Sequence, residues 1–239
     1  MKESKPLKTA EKILNAAEKL FAEYSYNEVS IRQITETAEV KLALAHYHFG
    51  SKEELYRTLI KRRIGILSRD RTQLLMKHKE SYGKKAIPLE FIVESFIAPY
   101  LYNTLNGGDG WRDYAKLVAR LLSSGSNLSL SILQEQFDPS AELFLAEIRK
   151  SAPKATEQQV QWGFDFLVGA MCNTFAEVDR INSLSSGLCS TEKPEVSCQY
   201  LFNFATAGLK AVLSQQPYDF TNTFSELTLI HTADNKKRK

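Results

Sequence analysis

The residues of this 239-residue chain best equipped for chemistry do not assemble a catalytic set. His46 and His48 stand two positions apart in a segment of helical pattern, so their rings point about 200° apart and cannot share one metal ion. Cys172, Cys189 and Cys198 are odd in number and lack the close pairing of a metal or redox motif, which leaves reduced thiols and no disulfide framework. Gly107-Gly108-Asp109-Gly110 is glycine-rich, yet it follows no strand and lacks the Lys-Ser/Thr of a phosphate-cradling loop. With no nucleophile beside a base, no acid/base couple and no metal cluster, the chain is not expected to be an enzyme, and no cofactor or metal is assigned.

The charged residues point instead to a binding surface. Residues 1–85 hold 18 Lys+Arg against 11 Asp+Glu, a charge of +7, whereas residues 86–235 hold 9 against 17, a charge of −8. The tail Lys236-Lys237-Arg238-Lys239 adds +4 and restores the overall +3. An electropositive segment attracts polyanions and an acidic one avoids them, so a polyanion contact is expected in the first third; a merely solvated charged face is the plainer alternative. The basic tail reads as a flexible end. A composition 43% hydrophobic and 25% charged can bury a core, as one large domain or two smaller ones. No run of about 18 apolar residues occurs, and Met1 to Lys8 is polar and basic without a following apolar stretch, which predicts a cytoplasmic chain with no membrane association.

The elements that must position these residues are all helical. Ile13, Ala16, Leu20, Phe21 and Tyr24 recur at helical spacing, predicting a first helix over about 9–25. Ser30 and Gln33 have capping-box spacing, with Val29 and Ile34 at staple positions, predicting a second helix over Ile31–Thr37. A third runs from Lys41 to about Phe49. Ser51-Lys52-Glu53-Glu54 repeats the capping pattern and introduces a long fourth helix, about 52–77, as connector. Two short helices at a tight turn, flanked by amphipathic helices, constitute a helix-turn-helix candidate.

Beyond Gly83 the periodicity predicts helices at Leu89–Leu105, Trp111–Leu122 and roughly Leu130–Arg149, the last region interrupted at Pro139. Thr156 and Gln159 cap a helix expected through Arg180, and a final helix spans about 195–215. These last two are apolar nearly all round. Such helices must be covered on two sides, by the chain's own core and by a second subunit, or else be wholly internal. Trp162, Phe166, Gly169, Ala170 and Asn173 with Leu201, Phe204, Ala205 and Gly208 are the expected residues of a two-fold four-helix homodimer interface.

From Ser30 to Leu55, SIRQITETAEVKLALAHYHFGSKEEL resembles the DNA-binding signature of TetR-family transcriptional regulators, and the run Ile13 to Glu23 is similar to that family's first helix. The likeness covers about residues 9–60. Asp179-Arg180-Ile181 with Gly187-Leu188-Cys189 and the closing helix are similar to the PsrA-like branch, whose members sense fatty-acyl ligands. Two positions depart from the pattern. Glu39 stands where the family usually has Gly before the Val, at a point where left-handed backbone is convenient. His46 stands where the PsrA-like pattern tends to have Asn, so operator sequence does not carry over.

The resemblance implies an all-α chain. Residues 1–55 would form a helix-turn-helix domain, 56–216 a helical ligand-binding and dimerisation domain, and 217–239 a C-terminal tail. Carried over by position, Lys41, Leu42, Ala43, His46, Tyr47 and His48 would face double-stranded DNA, with Ser30, Arg32 and Lys52 around the rim. Arg32, Lys41 and Lys52 can make charge-assisted phosphate contacts, Tyr47 and His48 neutral ones, and Leu42 and Ala43 can touch a thymine methyl. The alternative for Tyr47 is half-buried packing. An apolar effector, a fatty acid or acyl-CoA, would sit among Phe91, Phe96, Tyr100, Tyr102, Trp111, Trp162 and Phe166, with Arg120 anchoring a carboxylate. The alternative is plain core, with Arg120 paired to an acid such as Asp165. Function then reads as an effector-released repressor on a palindromic operator, or as a TetR-like protein with an architectural or protein-partner role.

Overall fold

The computed structural model describes residues 8–176, 178–189 and 194–237. Among these described residues the helical segments are, in chain order, α1 Thr9–Glu23, α2 Ile31–Thr37, α3 Leu42–Phe49, α4 Lys52–Tyr82, α5 Leu89–Asn106, α6 Asp109–Ser123, α7 Asn127–Gln136, α8 Asp138–Ser151, α9 Glu157–Ala176, α10 Val178–Leu184, α11 Pro194–Ser214 and α12 Thr221–Lys237. No strand occurs among the described residues, and none of their helices is long and apolar enough to cross a membrane.

α1, α2 and α3 close over the start of α4. Ile13, Ala17, Phe21, Val29, Ile34, Ala45, Leu55 and Leu59 are buried together, and the Phe21 and Tyr56 rings meet edge to face at 4.8 Å. α4 has 31 residues, about 46 Å at 1.5 Å per residue, so one rigid rod runs from this small domain into the larger one. It extends five residues past the expected end, to the left-handed Gly83 (φ 59°), because His78 and Tyr82 pack on the Phe91 ring and Lys79 pairs with Glu147 at 2.7 Å. In the larger domain, α5, α6, α8, α9 and α11 surround Phe96, Tyr114, Phe144, Ile148, Phe164 and Leu167.

Two regions differ from expectation. The region 130–149 is two helices that break at Phe137, with Pro139 inside the first turn of α8, where its missing N–H leaves nothing unpaired. The helix expected through Arg180 is helical on both sides of residue 177, which lies outside the described residues. The expected tail contains α12. Asp219 accepts hydrogen bonds from Thr221 N (2.9 Å) and Thr221 Oγ1 (2.6 Å), fixing its first turn, and Phe220, Phe224 and Leu227 then repeat at helical spacing but remain exposed. Of the basic run, Lys236 and Lys237 close α12, while Arg238 and Lys239 lie outside the described residues, as do Met1 to Leu7.

Candidate nucleic-acid interface and internal cavity

The second and third helices are placed by local chemistry. Gln33 N–H donates to Ser30 Oγ at 3.2 Å and Ser30 N–H to Gln33 Oε1 at 2.8 Å, the reciprocal box that starts α2. α2 ends in a Schellman turn: Val40 N–H donates to the Thr35 carbonyl (3.0 Å) and Glu39 N–H to the Glu36 carbonyl (3.1 Å). Glu39 adopts φ 54°, so the position where glycine was missed does require left-handed backbone. Gly50, at φ 70°, then turns α3 into α4, whose Ser51 cap accepts from Glu54 N at 3.1 Å.

α3 is anchored by one side only. Ala45 is buried and Phe49 packs against the core, while Leu42, Ala43, His46, Tyr47 and His48 face solvent. Tyr47 is 82% exposed, touching little besides the edge of the His48 ring at 5.1 Å. An aromatic ring contributes to a protomer's stability by being buried, so this one contributes almost nothing to the fold. Around it, Lys41 is exposed at the α3 N-cap, and Lys52 is half-buried with Nζ 4.3 Å over the Tyr26 ring, where burial pulls its ammonium below the usual range. Arg32 is exposed with its Nε held by Glu36 at 2.9 Å, so that carboxylate competes with a phosphate for it. Ser30 is exposed with its hydroxyl committed to Gln33. His46 Nδ1 lies 3.1 Å from the Gly50 carbonyl and helps hold the turn.

Behind this face a buried ionic junction joins the domains. Glu18 on α1, 2% exposed, accepts from Arg62 (2.7 Å) and twice from Arg63 (2.6 Å), both on α4. The Arg63 guanidinium also lies 5.0 Å over the Trp111 ring of α6. Gly110, in the first turn of α6, leaves room for this cluster; a Cβ there would collide with Arg63 Nη2 and come within 2.8 Å of Glu18 Oε2. Arg120 completes the contact by donating to the carbonyls of Ala22 and Glu23, each at 3.0 Å, at the end of α1. It therefore caps α1 and lines a cleft with Glu23, Lys116, Gly169 and Asn173, apart from the cavity that Phe96 and Tyr100 line, and among the described residues it forms no ion pair with Asp165.

An internal cavity of about 320 Å³ opens between α4, α5, α6, α8 and α9. Phe96 and Tyr100, chosen from sequence, line it; Trp111, Trp162 and Phe166 do not. Trp111 is buried in the domain junction, while Trp162 and Phe166 stack on each other at 5.7 Å on the outer face of α9, each more than half exposed. Of the other aromatics, Phe91 stacks on His78 at 4.5 Å and Tyr102 is exposed. The residue that sequence reasoning missed is Arg71. It is buried in the cavity wall, its Nε donating to the Phe96 carbonyl at 2.8 Å. Its signal was a single cation in the apolar row Leu67, Arg71, Leu75 of α4.

The two helices expected at a subunit boundary are two-sided. Val160, Phe164, Leu167 and Met171 of α9 are buried against the protomer core, and Gly163 lets α11 come close, at Leu209. Trp162, Phe166, Gly169, Asn173, Phe204 and Gly208 are exposed, with Ala170 half-buried beside them. Leu201 and Ala205 are corrections: both are buried inside the protomer, on the side of α11 that faces α9 and α5.

These features agree with what comparison finds. A profile described as "Bacterial regulatory proteins, tetR family" matches residues 13–59, and one described as "Tetracyclin repressor-like, C-terminal domain" matches residues 94–208. Among solved structures, a TetR-like transcriptional regulator from Rhodococcus sp. RHA1 is 19% identical, covers 86% of this chain and 99% of its own, and superposes with a TM-score of 0.57. The fatty acid degradation regulator FadR from Bacillus halodurans is 14% identical, with 87% and 99% covered and a TM-score of 0.54. A transcriptional regulator from Saccharomonospora viridis in complex with choline is 18% identical, with 82% and 94% covered and a TM-score of 0.51. No curated protein matches the sequence. At these identities the structures speak for the fold, while the two profiles span most of the chain: it belongs to the TetR family of bacterial regulatory proteins, non-enzymatic transcription regulators that bind DNA and act as dimers.

Proposed function

We propose that this protein is a repressor that binds a palindromic operator as a homodimer and lets go of it when a small apolar molecule enters the cavity beside Arg71. The observation that carries the DNA half of this reading is the bare face of α3, where Tyr47 is exposed beside Leu42, Ala43 and His46 while Ala45 holds the helix down from behind. A helix fits the major groove, and those side chains offer apolar contact and hydrogen bonding to base edges. Lys41, Lys52 and, once freed from Glu36, Arg32 supply phosphate contacts. Two protomers paired through the exposed sides of α9 and α11 would present two reading helices, and a spacing of about 34 Å between them meets successive major grooves.

Release needs a mechanical link, and α4 supplies it. It carries Lys52 at one end, Arg62 and Arg63 at the ionic junction, and Arg71 at the cavity, so a ligand that shifts its inner half displaces the reading head. The ligand acts only through its preference for the spacing that misfits DNA; reversal from 99:1 to 1:99 takes about 5.5 kcal/mol of differential binding.

The test is selection of bound sequences from a random duplex pool with the full-length protein, repeated with effector candidates. A palindromic consensus is expected from the pool; genomic footprints should then fall at few promoters, and many dispersed sites would overturn the repressor reading in favour of an architectural one. For six or more phosphate contacts, affinity should fall about 10³-fold or more between 50 and 200 mM salt. Binding indifferent to salt would contradict an interface built on phosphates.

A further inference from the structure

The cavity is polar at two places and apolar between them, and the two places have opposite charge. At the inner one lies Arg71, 4% exposed. Its guanidinium donates to the Phe96 carbonyl, approaches the Met171 sulfur at 3.5 Å and rests 3.8 Å over the Phe96 ring. Among the described residues no carboxylate pairs with it; the titratable groups that face it are the Cys172 thiol and the phenols of Tyr114 and Tyr100. Burial alone therefore pulls this guanidinium down to about 10. Beside it in the cavity wall, the buried Tyr114 hydroxyl has no hydrogen-bond partner among the described residues. At the outer place, Asp138, Glu142 and Asp165 are exposed around the opening, Glu142 with Arg149 at 3.5 Å, and burial together with Glu142 holds the Asp138 carboxyl above its ordinary range. Between the two, Phe96, Leu145, Phe164 and Val168 form an apolar wall.

A buried cation without its anion is costly, and so is a buried hydroxyl without a partner; a ligand carrying two acceptor oxygens satisfies both at once. The acidic opening imposes the converse restriction, because a ligand that leaves negative charge there meets three carboxylates. At about 320 Å³ the cavity lies at the small end of the range for ligand pockets, roughly 300–1,000 Å³.

We propose that the cavity selects a compact apolar monocarboxylate, inserted with its carboxylate against Arg71 and Tyr114, and that the acidic opening excludes coenzyme A thioesters and other polyanions. The release of DNA by such a ligand rests on the effector reading given above, whereas its binding does not.

The experiment is calorimetric titration of the full-length protein with a matched series: octanoate, 3-phenylpropanoate, 1-octanol, octylamine and octanoyl-coenzyme A. Either acid should bind, with the alcohol at least tenfold weaker and no heat from the amine or the thioester. Arg71→Met should abolish acid binding and Arg71→Lys should restore part of it. If neither acid binds, if the alcohol or the thioester equals the acids, or if folded R71M retains acid affinity, the proposal is wrong; the wild-type series decides even where R71M does not fold. Operator binding is followed in parallel by fluorescence anisotropy. Acids that bind without releasing DNA leave the cavity assignment standing and remove the effector reading; DNA binding without acid binding does the reverse.

Discussion

Glu39 shows how a single residue can be wrong for its backbone and right for the fold. Its φ of 54° closes the Schellman turn between α2 and α3, and a side chain there costs about 1 kcal/mol relative to glycine. Glu39→Gly should therefore raise stability by about 1 kcal/mol, less a small loss from the greater freedom of glycine in the unfolded chain, as read by urea denaturation. A destabilised variant would mean that the Glu39 side chain makes a compensating contact. Tyr47 is the opposite case, a residue the fold does not use. Tyr47→Ala should leave the melting temperature within about 1 °C, because surface substitutions fall within about 0.5 kcal/mol, yet weaken operator binding tenfold or more. Equal affinity for wild type and variant would remove α3 from the interface. At this scale the sequence was legible where a motif fixes the residue, as from Ser30 to Leu55. It was not legible in the cavity, where an arginine's role depends on what faces it: Arg120 meets the carbonyls at the end of α1, and Arg71 meets the carbonyl and ring of Phe96 in the cavity wall.

Helix starts were readable because their signals are local. Ser30, Ser51 and Thr156 cap α2, α4 and α9 through bonds to residues three positions on. Helix ends were less so, since the last turn of α4 persists on tertiary contacts of Lys79 and Tyr82, and the junction of α1, α4 and α6 could not be read at all because its ion-pair partners are 44 or more positions apart. That junction depends on a missing side chain. In Gly110→Ala the new methyl pushes Arg63 off Glu18 while Arg62 remains, so the loss should be smaller than the roughly 3–5 kcal/mol of breaking a buried pair outright, about 1–3 kcal/mol by chemical denaturation. Since Glu18 is then held to α4 through Arg62 alone, operator affinity should fall and its response to ligand should shrink. An unchanged denaturation midpoint would show that Arg63 relocates freely.

For the molecule as a whole, the proposed function joins the charge division and the two-sided helices in one arrangement, which would turn the cationic end to the duplex and the apolar outer faces of α9 and α11 to a second copy. The sequence made the excess of apolar surface visible, but not which residues of α11 point which way, and Leu201 and Phe204 separate the two sides. Leu201 is 6% exposed and Phe204 69%. Leu201→Glu buries a carboxylate without a partner inside the protomer and should unfold it. Phe204→Glu places the same charge on a surface already in water, so the protomer should keep its helical circular dichroism signal and sediment as a monomer at micromolar concentration. Its operator affinity should then fall by about 10²-fold or more, because the second half-site loses the high effective concentration that pairing provides. A Phe204→Glu protein that still sediments as a dimer would place the subunit boundary elsewhere, and the exposed row Phe220, Phe224 and Leu227 on α12 would be the next surface to charge.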